Sequence, residues 1–294
     1  AVISTSKEGF ALTILEAILQ GLIQGFTEFL PVSSSGHLSL FQYFTGSSSD
    51  SSVTFSVMLH FGTLIAVFIA FWPTILGLIR EFFAMVGEIA KGRFSFRQMN
   101  GRRRMILLLI LSILPLFVML FLKDTVAGFS ADNGIMVEGF CFLVTSCLLW
   151  LADRCTKGHK KASTMTPRDA LAMGVAQTFA TMPGISRSGS TLTVGLLCGL
   201  DRSYAVAFSF IMGIPAVLGA NLLDLADSIA AGEPLFSLPL LVGVVVAAIS
   251  GLASIKLVNY LVTSDKLRIF AWYTLASGGV VLVRGAVEQL AGHP

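Results

Sequence analysis

The stretch EFLPVSSSGHL, residues 28–38, places a carboxylate, a proline, three serines, a glycine and a histidine within a long apolar segment. The chain has 294 residues, of which 54% are hydrophobic and 13% are charged. Soluble domains contain about 25% charged residues. The composition therefore indicates an all-α polytopic membrane protein, and polar groups at membrane depth in such proteins are costly and usually functional.

Hydrophobicity outlines the membrane spans, since a helix needs about 20 apolar residues to cross a bilayer. Six segments qualify: residues 53–72, 105–122, 135–151, 204–223, 239–260 and 267–283. The loops before the second segment, after the third and between the fifth and sixth are rich in Lys and Arg, whereas the other loops are not. By the positive-inside rule we expect the basic loops on the cytoplasmic face. Residues 74–91 are amphipathic and predict an interfacial helix on that face.

Two further apolar segments, about residues 10–44 and 170–200, are interrupted by Pro, Gly and Ser. The flanks of the second segment, Arg168 and Arg202, both belong to the basic side. Each of its arms is too short to cross the membrane at about 1.5 Å per residue. We therefore expect two re-entrant helical hairpins with tips that are buried in protein or line a wet cavity. A plain span is the alternative for the first segment.

The two interrupted segments align without a gap at an offset of 153 residues, although chance matching of small residues is an alternative explanation. The identical pairs include Gly21 and Gly174, Gln24 and Gln177, Phe26 and Phe179, Ser33 and Ser186, Ser35 and Ser188, and Gly36 and Gly189. Each half then holds one hairpin and three spans, and an odd number of spans inverts the second copy. The predicted architecture is an inverted-topology repeat of residues 1–152 and 153–294, with a site at the repeat interface.

A polar stripe leads to the first break. Glu16, Gln20, Gln24 and Glu28 are each four residues apart and share one helical face that ends near Pro31. A hydrogen-bonded contact between helices explains Glu16 and Gln20 equally well. A functional role is favoured for Gln24 and Glu28, which lie beside the break.

The chemistry of the breaks points to phosphate. A helix that restarts after a break directs its N-terminal N–H groups and dipole towards an anion, and the Arg187 guanidinium matches phosphate. A purely structural ion pair between Arg187 and Glu28 is the alternative. His37 is the natural base, whereas His60, within the first span, is more readily explained as a structural histidine. The candidate phosphate-binding residues are Ser33, Ser34, Ser35, Gly36, Ser186, Arg187, Ser188 and Thr191.

QGFTEFLPVSSSGH (residues 24–37) and PGISRSGST (residues 183–191) resemble the signatures of the undecaprenyl-diphosphate phosphatase family, also called bacitracin-resistance proteins. The resemblance covers essentially the whole chain. It implies hydrolysis of undecaprenyl diphosphate to the monophosphate and inorganic phosphate, which recycles the lipid carrier for cell-wall synthesis. It also implies a multi-pass protein of the bacterial plasma membrane, with an active site that faces the outer side.

The resemblance further implies catalytic roles for Glu28, Ser34, His37 and Arg187, and a divalent cation, Mg²⁺ or Ca²⁺. Glu28 matches the second acid of the family's motif, and Gln24 matches the first position, where many members have Glu. Gln is a weaker ligand, so the expected cation site is Glu28 with Gln24, through water if not directly. Ser35 stands where many members have Thr.

Our hypothesis from the sequence is that Ser34 attacks in line with His37 as its base, while a phosphorylated His37 remains an open alternative. The rival function is a transporter or lipid flippase, because inverted repeats with opposed hairpins are typical of transporters. The expected partners are a polyprenyl diphosphate lipid and the bilayer. No nucleic acid is expected, and a homodimer is compatible with the sequence.

Overall fold

The computed structural model describes residues 13–45, 53–95, 99–119, 135–182, 184–232 and 235–291. These residues form α-helices joined by turns and one 3₁₀ segment, with no β-strand among them. The helices are α1 (Ile14–Phe29), α2 (Ser34–Thr45), α3 (Val53–Ala70), α4 (Trp72–Ala90), α5 (Gly101–Ile113), α6 (Met136–Asp153), α7 (Pro167–Phe179), α8 (Arg187–Leu197), α9 (Arg202–Ala230), α10 (Leu238–Thr263) and α11 (Arg268–Leu290). The predicted all-α fold is confirmed. The predicted starts and ends at residues 10–12 and 120–122, and Pro183, lie outside the described residues.

Helix length and hydropathy support a multi-pass membrane protein. Among the described helices, α6, α9, α10 and α11 are each long and apolar enough to cross a membrane. The bent pair of α3 and α4 raises the number to five if the pair is one span. The prediction of six spans is therefore confirmed only in part.

The segment predicted as the second span, residues 105–122, is not one continuous α-helix. α5 ends at Ile113, and a 3₁₀ segment, Leu114–Val118, follows. Pro115 lies at the start of this segment, where its missing N–H and fixed φ are tolerated. Since α5 alone extends about 20 Å, the 3₁₀ segment must supply the remainder of any crossing.

A sharp bend at Phe71 separates α3 from α4, and the two helix axes differ in direction by 85°. Pro73 in the first turn of α4 suits a helix start. Arg103 of α5 forms ion pairs with Glu81 at 2.8 Å and Glu88 at 2.7 Å, which fasten the polar face of α4 to the bundle. The helix predicted at residues 74–91 is thus confirmed, and its interfacial location stays a prediction.

Small residues let α1 pack closely against α10. A Cβ atom at Gly25 would lie only 2.6 Å from the carbonyl oxygen of Ala247, and one at Gly21 would lie 2.8 Å from that of Gly243. Ser254 donates a hydrogen bond to the carbonyl of Phe26 at 2.8 Å. Such contacts hold membrane helices together where the hydrophobic effect between them is weak. They fix α1, and hence its C-terminal end, against the bundle.

Both interrupted segments fold as helix, break and helix. α1 and α2 flank the first break, and α7 and α8 flank the second. The first helix of each segment begins with a capping box, formed by Thr13 with Glu16 in one and by Thr166 with Asp169 in the other. These caps also lie 153 residues apart, which the sequence comparison did not include. The helix breaks are confirmed, whereas the re-entrant course stays a prediction.

Candidate active site

The two breaks have the same local geometry. Ser33 Oγ accepts a hydrogen bond from Gly36 N at 3.2 Å, and Ser186 Oγ accepts one from Gly189 N at 3.1 Å. Both serines cap the helix that restarts after the break, as Ser commonly does. Ser33 has a φ of 74°, an uncommon conformation for a residue other than glycine. The paired motifs thus build matching helix starts.

The tips of the two segments touch each other. Ser188 Oγ donates a hydrogen bond to the carbonyl oxygen of Leu30 at 3.2 Å, and Gly184 N donates to Ser35 Oγ at 3.1 Å. The N-terminal ends of α2 and α8 are therefore neighbours. Because both ends carry unpaired N–H groups and a positive dipole end, the junction favours an anion.

Glu28, at the end of α1, is the centre of the cluster. Its side chain is 7% exposed and forms an ion pair with Arg187 through Oε1. Its Oε2 accepts hydrogen bonds from Ser34 Oγ at 2.8 Å and from Gln24 Nε2 at 3.0 Å. The structure thus brings together four of the predicted residues, from both halves of the chain. A serine hydroxyl beside a carboxylate that can take its proton is a typical arrangement for a nucleophile.

Arg187 is held from two sides. Besides Glu28, its Nη1 donates to the carbonyl oxygen of Gly213 on α9 at 3.3 Å. These contacts use two of the five guanidinium N–H donors, so others remain for an incoming phosphate. Gly213 lacks a side chain at the point of contact, where a Cβ would lie 2.4 Å from Nη1. The role of Gly213 has no signal in the sequence, because it depends on the packing of α9 against the second break.

The remaining predicted residues support the break rather than contact Glu28. Thr191 Oγ1 donates to the carbonyl of Arg187 at 2.9 Å and shares a hydrogen bond with Ser209. Ser186 N donates to Thr145 Oγ1 at 3.1 Å. Gly36 packs so closely under Phe142 that a Cβ would lie 2.8 Å from the ring. These contacts fix the backbone at both helix starts.

His37 has a different neighbourhood from the one that its predicted role as the base of Ser34 requires. Its Nδ1 lies 2.7 Å from the carbonyl oxygen of Ser33, and its Nε2 lies 2.7 Å from the hydroxyl of Tyr273. The rings of His37 and Tyr273 are stacked, with centroids 5.7 Å apart. Since a carbonyl oxygen only accepts, Nδ1 carries the proton, and the Tyr273 hydroxyl donates to Nε2 of the neutral ring. Both ring nitrogens are therefore engaged away from Ser34.

His60 of α3 lies at the cluster instead. Its Nε2 is 3.9 Å from Glu28 Oε2, and its Nδ1 is 2.9 Å from the carbonyl oxygen of Ser56. The sequence interpretation favoured a structural histidine at this position. One feature of the sequence could have identified His60 as functional: it is the only ionisable side chain in residues 53–72. Tyr273 was not singled out, since nothing in its local sequence links it to His37.

The donor atoms near Glu28 fit a hard divalent cation. Gln24 is fully buried, and its amide must present Nε2 to the carboxylate, which leaves Oε1 buried without a hydrogen-bond partner. A carboxylate, an amide oxygen and substrate phosphates are the kind of ligands that Mg²⁺ and Ca²⁺ prefer. The described residues contain no group of three or more His, Cys, Asp or Glu side chains arranged for a metal. A cation here would therefore depend on substrate oxygens.

A small cleft reaches the Glu28–Arg187 pair between α1, α3 and α9. Its polar end contains Glu28, Arg187 and Thr63, and its other walls are apolar, formed by residues that include Leu64, Val67, Ile214 and Val217. The cleft therefore joins the charged pair to an apolar wall.

Comparisons with known proteins cover nearly the entire chain. Residues 17–280 match the family model described as bacitracin resistance protein BacA. A curated protein of Alkaliphilus metalliredigens named undecaprenyl-diphosphatase is 36% identical over 274 residues, which are 92% of this chain and 98% of the relative. Proteins with the same name are 37% identical in Methanosphaera stadtmanae, over 94% of this chain and 99% of the relative, and 39% identical in Desulfatibacillum aliphaticivorans, over 93% and 99%.

Proposed function

This chain belongs to the bacitracin resistance protein BacA family, and we propose that it hydrolyses undecaprenyl diphosphate to undecaprenyl phosphate and inorganic phosphate. It is a multi-pass membrane phosphatase, and its substrate is a polyprenyl diphosphate lipid. The reaction regenerates the lipid carrier for cell-wall synthesis and underlies bacitracin resistance in this family. Four residues, Glu28, Ser34, Arg187 and Gln24, form its reactive centre.

One observation carries the mechanism: the Ser34 hydroxyl donates to the same carboxylate that pairs with Arg187. In the first step, Ser34 Oγ attacks the terminal phosphorus and its proton passes to Glu28. The bond from that phosphorus to the bridging oxygen breaks, and undecaprenyl phosphate leaves with the electron pair. The Arg187 guanidinium and the helix starts of α2 and α8 stabilise the charge on the transferred group, which is the main requirement of phosphoryl transfer.

In the second step, water attacks the phosphorus of phosphorylated Ser34. The bond between phosphorus and Oγ breaks, Glu28 returns its proton to Oγ, and inorganic phosphate leaves. Glu28 replaces His37 as the base in this scheme, because a proton can pass directly along its 2.8 Å hydrogen bond with Ser34. His37 then has a positioning role, since it links the Ser33 carbonyl to Tyr273 of α11.

The serine and histidine routes differ in the residue that carries the phosphoryl group. Enzyme incubated with substrate labelled in the terminal phosphate, and quenched in SDS at neutral pH so that both phosphoserine and phosphohistidine survive, should contain labelled protein. We expect Ser34→Ala to contain none and His37→Ala to retain some. Label that persists in Ser34→Ala would overturn the serine route.

A divalent cation fits this site through Glu28 and the unpartnered Gln24 Oε1. When bound, it would neutralise charge on the substrate phosphates. The buried Gln24 amide also donates to Glu28 and so helps to orient the carboxylate towards Ser34. Whether Mg²⁺ or Ca²⁺ serves is decided by comparing activity in each after chelation.

For the membrane topology we propose six spans and two re-entrant hairpins in an inverted repeat, with boundaries near residues 152 and 153. The matching caps at Thr13 and Thr166, and at Ser33 and Ser186, support a common origin of the two segments. The distribution of Lys and Arg supports a cytoplasmic location of the basic loops. We infer an active site that opens to the outer side of a bacterial plasma membrane. Labelling of single cysteines in the loops, with a reagent that does not cross membranes, tests this orientation.

The function itself is tested by phosphate release from a long-chain prenyl diphosphate by purified protein in detergent. We expect release that depends on a divalent cation, falls about 10³-fold or more in Arg187→Ala, and is unchanged in Arg80→Ala, an exposed position on α4. A folded wild-type protein that binds the lipid without releasing phosphate would contradict the proposal and favour the transporter alternative.

A further inference from the structure

We propose that His60 holds the water molecule that hydrolyses phosphorylated Ser34, which makes it a further catalytic residue. The inference rests on the two-step mechanism above. That mechanism needs a water next to the phosphoserine but does not say which group orients it.

The hydrogen bonds of His60 define which nitrogen can do so. Its Nδ1 lies 2.9 Å from the Ser56 carbonyl oxygen, which can only accept, so Nδ1 carries the proton. In the neutral ring Nε2 therefore presents a lone pair, and this nitrogen lies 3.9 Å from Glu28 Oε2. Two acceptors that face each other at this distance cannot bond directly. In the resting enzyme, a molecule that donates two hydrogen bonds satisfies both. Once Glu28 has taken the proton of Ser34, the same molecule keeps its hydrogen bond to Nε2.

Water fits this position. A water oxygen about 2.8 Å from both acceptors would see them at an angle of about 90°, which its two O–H bonds can serve. His60 has 28% of its side chain exposed, so the ring is not enclosed by protein. The Thr63 hydroxyl donates to the carbonyl of His60 at 2.9 Å in the same helix. The imidazole is thus fixed on a rigid element rather than on a loop.

The distances bring His60 close to the reacting serine. Ser34 Oγ and His60 Nε2 lie 2.8 and 3.9 Å from the same oxygen, so they are at most about 6.7 Å apart. A water that donates to Nε2 is therefore close to a phosphoryl group carried by Ser34. His37 does not compete for the role, since both of its nitrogens are engaged.

In this step the water oxygen forms a bond to phosphorus as the bond to Ser34 Oγ breaks. Glu28 returns the proton that it took from Ser34, and both hydrogens of the water remain on the product, which leaves as dihydrogen phosphate. His60 orients the lone pair of the water through the Nε2 hydrogen bond and does not need to remove a proton. A loose transition state makes this sufficient, because the nucleophile is little deprotonated when it attacks.

The test compares His60→Asn with His60→Gln. The Asn amide reaches only as far as Nδ1 does, so it loses the acceptor at Nε2. The Gln amide oxygen reaches approximately the position of Nε2. Rapid-quench kinetics with substrate labelled in the terminal phosphate measure phosphoenzyme formation, its decay, and the release of lipid monophosphate.

We expect His60→Asn to form phosphoenzyme at a rate close to wild type and to hydrolyse it about 10–10²-fold more slowly. Lipid monophosphate should then appear in a burst of about one per enzyme, and phosphoenzyme should accumulate. His60→Gln should stay within about threefold of wild type in both steps. Should His60→Asn fail to fold, His60→Met, which offers no comparable acceptor, provides the same measurement.

Equal slowing of both steps in His60→Asn, or no change in either, would overturn the assignment, as would a His60→Gln enzyme as slow in decay as His60→Asn. Failure of the underlying mechanism has a separate signature. In that case wild type would form no phosphoenzyme, or Ser34→Ala would still form it.

Discussion

Substitution of Gly213 by Ala should reduce activity while it leaves stability unchanged or increased. Gly213 lies inside α9, and its carbonyl accepts a hydrogen bond from Arg187 Nη1 at 3.3 Å. A Cβ added there would lie 2.4 Å from Nη1. Because Nη1 is the far end of a flexible side chain, the guanidinium can move away without unfolding the protein. Glu28 would then lose its best-placed partner.

The expected effects of Gly213→Ala on activity and on stability have opposite signs. Relief of the contact requires Arg187 to move by about 1 Å, and a misplacement of that size costs about 10²-fold in rate. In a helix interior, Ala is more favourable than Gly by about 0.5–1 kcal/mol. We therefore expect kcat/KM to fall about 10²-fold and the thermal unfolding midpoint to stay level or to rise.

The matched control is Gly219→Ala on the same helix, where nothing lies within 4 Å of the added Cβ. It should gain similar stability and keep full activity. Both variants are measured by phosphate release and by thermal unfolding in the same detergent. A Gly213→Ala enzyme with wild-type kcat/KM would refute the view that activity requires the guanidinium of Arg187 in its position beside Gly213. An equal loss in Gly219→Ala would show that the effect belongs to the helix and not to the site.

Three further outcomes are expected. Tyr273→Phe removes the hydroxyl on His37 Nε2 but keeps the stacked ring, so kcat/KM should fall less than about tenfold; a loss as large as that of His37→Ala would contradict a positioning role. Hydrogen bonds from Arg103 hold the pKa of Glu88 below its ordinary value of 4.5. They therefore stabilise the folded state above pH 4.5, and this stabilisation is lost as the pH falls through the lowered pKa of Glu88. Thermal unfolding of Arg103→Met should therefore depend less on pH in this acid range, and parallel pH profiles would count against the ion pairs. Gly25→Leu should prevent the close approach of α1 and α10, and a normal yield of monodisperse protein would contradict that packing.

The sequence contained enough information for the two helix breaks and for the residues that meet there. Gln24, Glu28 and Ser34 lie within a stretch of eleven residues, so their proximity follows largely from helix geometry. The partnership of Glu28 with Arg187, 159 residues later, followed from charge, because a carboxylate and a guanidinium at membrane depth need partners. The ion pair considered as a structural alternative is present, and it joins two residues of the proposed centre.

Assignments that depend on side-chain direction were beyond the sequence. His37 lies only three residues after Ser34, which made it the natural base. Its ring instead bonds back to the Ser33 carbonyl and stacks on Tyr273 from α11, 236 residues away. The helix break after Ile113 was missed for a different reason. Hydropathy measures how apolar a segment is, and Pro115 changes the backbone without changing that average.

The position of the Glu28–Arg187 pair argues that it is retained for chemistry rather than for stability. Replacing a buried ion pair by apolar groups is often neutral or even stabilising by about 1–4 kcal/mol, because desolvation offsets most of the attraction. Arg187 is also partly exposed, at 26% of its side chain, which screens the pair further. A structural contact between the two hairpins could therefore be made at lower cost by apolar side chains, and the serine contacts between the tips already provide one. A phosphatase, however, needs a carboxylate to receive the proton of Ser34 and a guanidinium to bind phosphate at the same point. Since one charge comes from each hairpin, the reactive centre exists only when both halves of the chain are docked.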